Sequence, residues 1–134
     1  MIIVAIDPGP HTGIATRLAD GNITTQMLHN QTAAVWEYLT EIKPQVIVVE
    51  RFRSGARIST DGLETIEIQG GVQSIAWIIK ARFYWQSPSV RQAFIPDARA
   101  MLGAGKAKIE SHAVDALAHL LRWEHFYGNN FNVD

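Results

Sequence analysis

Residues 46–49 read Val-Ile-Val-Val, and Glu50 follows. Four consecutive residues of this β-branched kind are stiff at χ1 and suit a pleated strand better than a helix. The run shows no polar alternation, so both faces of the strand must be covered. That places it at the centre of a sheet with helices on either side. Residues 1–7 have the same Ile/Val character and predict a second buried strand that ends at Asp7, where Asp7-Pro8-Gly9-Pro10 breaks it. A chain with two such strands is confined to an α/β layered fold.

The remaining segments fill in that frame. Gly13–Leu18 and Ile23–Leu28 read as short strands, and Asp20-Gly21 between them marks a tight hairpin. Strands one to three therefore form an antiparallel meander. Thr32–Lys43 carries Val35, Trp36, Leu39 and Ile42 at helical spacing and is stopped by Pro44. Residues 51–60 read as a loop. A helical region follows to about Arg82, with Gly70-Gly71 as its weak point, and Val90–Ile95 reads as a last strand. Pro96 opens a short helix to Leu102. Ile109 to about Phe126 is a closing helix with Ala113, Leu117, Leu120 and Leu121 on one face. No repeat or linker interrupts the 134 residues, so residues 1–134 are expected to form a single domain.

Composition narrows the chemistry. With no cysteine, disulfides, zinc–thiolate sites, iron–sulfur clusters and cysteine nucleophiles are excluded. Apolar runs fall well short of the ~20 residues that span a bilayer, and the N-terminal run lacks the basic flank of a signal peptide. A cytoplasmic location is therefore expected. The net charge of −1 argues at face value against a nucleic-acid binder. The average hides a pattern. Residues 51–108 hold nine basic and four acidic side chains, net +5, while the rest holds three basic and nine acidic, net −6. Arg51, Arg53 and Arg57 follow Glu50 directly in a loop with Ser54 and Gly55, a basic footprint of the kind that phosphates require.

Asp7 and Glu50 are each the first carboxylate after a buried strand, and ligands of α/β sheets gather at the carboxyl ends of strands. One such residue ordinarily begins a solvated loop; two on adjacent strands come within reach of a shared metal. On the last helix His112, Asp115 and His119 share one face, opposite the leucines. That face is either a solvated surface or looks at the strand ends. Three clustered carboxylates repel unless cations neutralise them, and hard oxygen ligands suit Mg²⁺ or Mn²⁺. Two such ions, bridged by one carboxylate, can stabilise both the attacking and the leaving oxygen of a phosphodiester displacement. His112 can ligate, orient water or shuttle a proton, and the sequence does not choose among these.

Taken together, several segments resemble the RuvC-type Holliday junction resolvases of the ribonuclease H-like superfamily, the short bacteriophage-type members in particular. They are Ala5-Ile6-Asp7-Pro8-Gly9 with Thr12-Gly13, Val48-Val49-Glu50, Gly71-Val72, Val90-Arg91-Gln92, and His112 to Ala118. The resemblance implies a ribonuclease H-like fold with a central mixed five-stranded sheet, three antiparallel strands then two parallel, flanked by helices. It implies a site in which Asp7 bridges two Mg²⁺ or Mn²⁺ ions, Glu50 holds one, Asp115 holds the other, and His112 fills the fourth position. The implied activity is resolution of four-way DNA junctions by paired symmetric nicks, leaving 5′-phosphate and 3′-hydroxyl ends. The implied assembly is a homodimer through the apolar helix around residues 72–85.

Arg91 takes a basic position of the family's late strand, and Arg99, Lys106 and Lys108 extend the DNA-binding set with the 51–57 loop. Phe52 lies two residues after Glu50, where the resemblance leads one to expect an aromatic residue at three. Rival functions are a metal-dependent nuclease for other branched DNA or structured RNA, a non-catalytic branched-DNA binder, and a fragment of an actin-like ATPase.

Overall fold

The computed structural model describes residues 1–29, 32–52, 60–103 and 111–128. Five strands form one sheet in the order β3-β2-β1-β4-β5. They are β1 (Ile3–Asp7), β2 (His11–Arg17), β3 (Ile23–His29), β4 (Val46–Glu50) and β5 (Arg82–Gln86). The first three pair antiparallel, while β4 lies parallel to β1 and β5 parallel to β4. This is the mixed sheet expected from the sequence. Gly21 at the β2–β3 turn has φ +91°, which glycine adopts without steric cost.

Period-2 alternation sorts the strands onto two cores. Val4, Ile6, Ile47 and Val49 face α1 (Thr32–Ile42) and α2 (Thr60–Ile78), meeting Val35, Leu39, Val72 and Ile75. Ile3, Ala5, Val46 and Val48 face the other way, onto α4 (Ser111–Tyr127) and Ala98 of α3 (Ile95–Met101). Leu117, Leu120 and Trp123 of α4 are wholly buried. Each contributes about 1.5–3 kcal/mol by burial, which fixes this helix against the sheet.

Three expectations are corrected. The last strand is Arg82–Gln86, not Val90–Ile95, which falls largely in a 3-10 helix, Pro88–Phe94. Pro88 lies in its first turn, where a missing N–H costs nothing. The preceding helix ends at Ile78 because Lys80 turns left-handed (φ 60°) and closes a Schellman cap. In that cap the Ala81 N–H donates to the Ala76 carbonyl and the Lys80 N–H to that of Trp77. Finally, Gly70-Gly71 does not break α2. A Cβ on Gly71 would lie 2.8 Å from Thr32 Cγ2, and Trp36 Nε1 donates to the Gly71 carbonyl at 2.9 Å. That glycine serves the close approach of α1.

The apolar helix expected around 72–85 is therefore helical only to residue 78. Val72, Ile75 and Ala76 belong to the core, whereas Trp77 and Ile78 are exposed, and Phe83, Tyr84 and Trp85 sit in β5. Among the described residues no helix is long and apolar enough to cross a membrane.

Candidate metal centre

Parity decides where the strand-end polar groups point. Asp7 keeps the phase of Ile3 and Ala5, Glu50 that of Val46 and Val48, and Gln86 that of Tyr84. All three therefore face α4. Register puts them side by side: Ile6 pairs with Val49, and Glu50 with Gln86. Across from them α4 presents His112, Asp115 and His119, one turn or two apart. The histidine-bearing face is thus turned toward the strand ends rather than to solvent, and α4 is buried on much of its circumference.

Gly13 makes the approach possible. It pairs with Asp7 across the β1–β2 ladder, and a Cβ there would lie 2.0 Å from the His112 carbonyl oxygen. The backbone of α4 thus occupies the space a side chain would need. With the helix that close, His112 Nδ1–H donates to Asp7 Oδ2 at 2.8 Å.

Asp7, His112 and Asp115 each offer a ligand atom, and these atoms all lie within 4.8 Å of one another. Ligands of an octahedral Mg²⁺ at roughly 2.0–2.1 Å stand roughly 3 Å apart when adjacent and roughly 4 Å when opposed, so the set could hold a divalent ion after a small inward adjustment of its side chains. Two carboxylates and one imidazole also fit in kind, the nitrogen favouring Mn²⁺. Charge points the same way. Burial first, then the neighbouring Glu50 carboxyl and Asp115, push Asp7 up to about 9. Asp115 is also raised, by burial and by Glu50, against the opposing Arg91. These carboxyls lack sufficient positive partners of their own.

Glu50 has different company. Burial works to raise it, but hydrogen bonds from His119, Asp7 and Arg91 prevail and bring it down to about 2. Asp7 and Glu50 thus share a proton, as crowded carboxyls do. His119, fully buried, donates Nε2–H to Glu50 Oε2 at 3.1 Å, and its Nδ1 lies 2.6 Å from Gln86 Oε1. A half-turn of the Gln86 amide would present Nε2 to that nitrogen and pair a buried group that otherwise lacks a partner. Arg91 Nη1 donates to Glu50 Oε1 at 2.5 Å, and its Nε stands 3.4 Å from Asp115 Oδ1.

Beside the carboxylates opens a cavity of about 530 Å³, lined among others by Asp7, Glu50, Arg51, Phe52, Thr65 and Trp85. The Arg51 guanidinium lies over the Trp85 ring, 5.1 Å from its centroid. Arg99 is exposed on α3. Arg53, Arg57, Lys106 and Lys108 lie outside the described residues. Arg91 sits in the 3-10 helix rather than on a strand and is engaged by carboxylates. Gln86 was not foreseen, although the rule that flagged Asp7 and Glu50, a polar residue ending a buried strand, finds it once β5 is placed.

No family model matches the chain, and no curated protein matches it in sequence. Solved structures do match. Thermus thermophilus RuvC in complex with a Holliday junction substrate superposes with a TM-score of 0.73 at 22% identity, over 98% of this chain and 96% of that one. A second Thermus thermophilus RuvC structure gives 0.65 at 22%, over 97% and 96%. The yeast mitochondrial Holliday junction resolvase Ydc2 gives 0.57 at 11%, over 96% and 80%. The class defined by this sheet and its flanking helices is the ribonuclease H-like fold. Within that class, the chain has the fold of the RuvC-type resolvases.

Proposed function

We propose that this protein is a divalent-metal-dependent endonuclease that resolves four-way DNA junctions, acting as a homodimer that nicks two symmetric strands. The observation that carries the reading is the convergence of Asp7, His112 and Asp115 at the carboxyl edge of the sheet, beside an open cleft, in a RuvC-type fold. Asp7, Asp115 and His112 would hold one ion, and Asp7 with Glu50 a second. Mg²⁺ or Mn²⁺ held there supplies Lewis-acid stabilisation of the phosphodiester and a nucleophile at neutral pH.

The chain's own groups do the rest. His112 is fixed by Asp7 through Nδ1, which leaves the Nε2 lone pair of a half-exposed ring as the one that would ligate the ion. His119, backed by Gln86, holds the Glu50 carboxylate in one orientation. Arg51, steadied on Trp85, stands at the cleft as a phosphate contact, and Phe52 offers an apolar surface beside it. The exposed Leu63, Ile66, Trp77 and Ile78 of α2 support a second copy docking on that helix.

A gel assay tests the reading directly. A synthetic four-way junction, a flap and an RNA hairpin are incubated with the protein, with and without Mg²⁺ or Mn²⁺. Paired metal-dependent nicks confined to the junction are expected; cleavage of the RNA hairpin alone, or of nothing, would overturn it.

A further inference from the structure

Arg91 occupies an unusual position for a nuclease's basic residue. It is reached only through the 3-10 helix Pro88–Phe94, which follows β5 directly and so brings the side chain back over the strand ends. The guanidinium lies between Glu50 and Asp115, with Nη1 on one carboxylate and Nε near the other. Its side chain is one-fifth exposed, and the Nε is buried without a well-formed hydrogen bond. A phosphate contact would instead present its fork to solvent. Here the fork is spent on two acids of the proposed site.

The consequence is an asymmetry among the four proposed ligands. Asp7, His112 and Asp115 bring their donor atoms within one ion's reach, and Glu50 is not among that group. Each Glu50 oxygen already has a partner, Oε1 with Arg91 and Oε2 with His119. A divalent ion on Glu50 would have to share an oxygen that already accepts a hydrogen bond, and it would sit beside a cation that cannot lose its proton. We propose that Arg91 is the resident counter-cation of this site and limits the free protein to one divalent ion, held by Asp7, His112 and Asp115. In this role Arg91 is a positioning residue: it sets how many ions the carboxylates accept. The inference rests on the metal-dependent reading above.

Mn²⁺ binding to the full chain without nucleic acid, followed by calorimetry and by loss of the free-ion paramagnetic signal, tests it. Wild type is expected to take one ion per chain. Arg91→Gln removes the charge and is expected to take two, or to tighten the second by roughly tenfold or more. Arg91→Lys keeps the charge and is expected to stay at one, which separates the charge effect from loss of fold. Circular dichroism of both variants accompanies the titration. Two ions in wild type would overturn the proposal while leaving the metal reading intact, as would one ion in both wild type and Arg91→Gln with equal affinity. No binding by any of the three proteins would overturn the metal reading and the proposal with it.

Discussion

Gly13→Ala should disable the site from the far side of the sheet ladder, without touching any proposed ligand. The added Cβ would sit 2.0 Å from the His112 carbonyl oxygen, 2.3 Å from its carbonyl carbon and 2.9 Å from the Ala113 nitrogen. Ordinary contact begins near 3.4 Å, so the N-terminus of α4 must retreat by about 1.4 Å. All three atoms are backbone, and the helix behind them is anchored by Leu117, Leu120 and Trp123, so no side chain can swing aside. Overpacking of this kind costs about 1–3 kcal/mol, which lowers the melting temperature by roughly 4–12 °C for a domain of this size. His112 would move off Asp7 by more than the slack in a 2.8 Å hydrogen bond. Displacements near 1 Å cost on the order of 100-fold in rate. Thermal melting in chelator reads the packing cost, while Mn²⁺ titration and junction nicking at a temperature where the variant is folded read the displacement. A Gly13→Ala protein that melts, binds Mn²⁺ and cuts like wild type would refute the claim that this glycine admits the helix to the site.

Stability of the metal-free protein should carry two opposite pH slopes. Glu50, lowered to about 2 from an ordinary 4.5, adds stability as pH rises through that interval. Asp7, raised to about 9 from 3.8, has its folded proton favoured, so stability is fullest below 3.8 and is lost as pH climbs toward 9. Melting temperatures in chelator should therefore fall from pH 5 to 9, and Asp7→Asn should lessen the fall; a flat or rising curve contradicts the assignment. Arg51→Ala should weaken junction binding and reduce its salt slope by about one, read by anisotropy at several salt concentrations. An unchanged slope would place the DNA elsewhere. Trp77→Glu should shift the protein from dimer to monomer in sedimentation, and an unaltered dimer would move the interface off that end of α2.

Legibility of the fold followed the strength of local signals. β1 and β4 announce themselves as uninterrupted Ile/Val runs because both of their faces are covered. β5 did not, for a physical reason: α2 ends on Lys80 in the left-handed conformation, where glycine would have marked the stop. With no visible break, Phe83, Tyr84 and Trp85 read as a continuation of the helix. The error then pushed the last strand onto Val90–Ile95, whose β-branched residues are outweighed by Pro88 at the start of a 3-10 turn.

Gly70-Gly71 misled in the opposite sense, since Gly71 answers to the packing of α1, which no local pattern records. For the site, Asp7 and Glu50 could be picked out by their place at strand ends. Their common direction follows from parity once the register is known. The orientation of α4 could not be read, because the polar face of His112, Asp115 and His119 opposite the leucines has the same pattern whether it meets water or the polar groups at the strand ends. The histidine-bearing face therefore looked as suited to solvent as to the sheet.

The most direct test separates cutting from binding. Asp7→Asn and Asp115→Asn are assayed side by side with wild type on a labelled four-way junction, for nicking in Mg²⁺ or Mn²⁺ and for affinity in a metal-free gel shift. The account expects both variants to lose nicking while holding the junction at least as tightly as wild type: without metal the Asp7 carboxyl already keeps its proton, so Asp7→Asn leaves the local charge unchanged, whereas Asp115→Asn removes a carboxylate beside the phosphates. Nicking by both variants at the wild-type rate with either metal would contradict it.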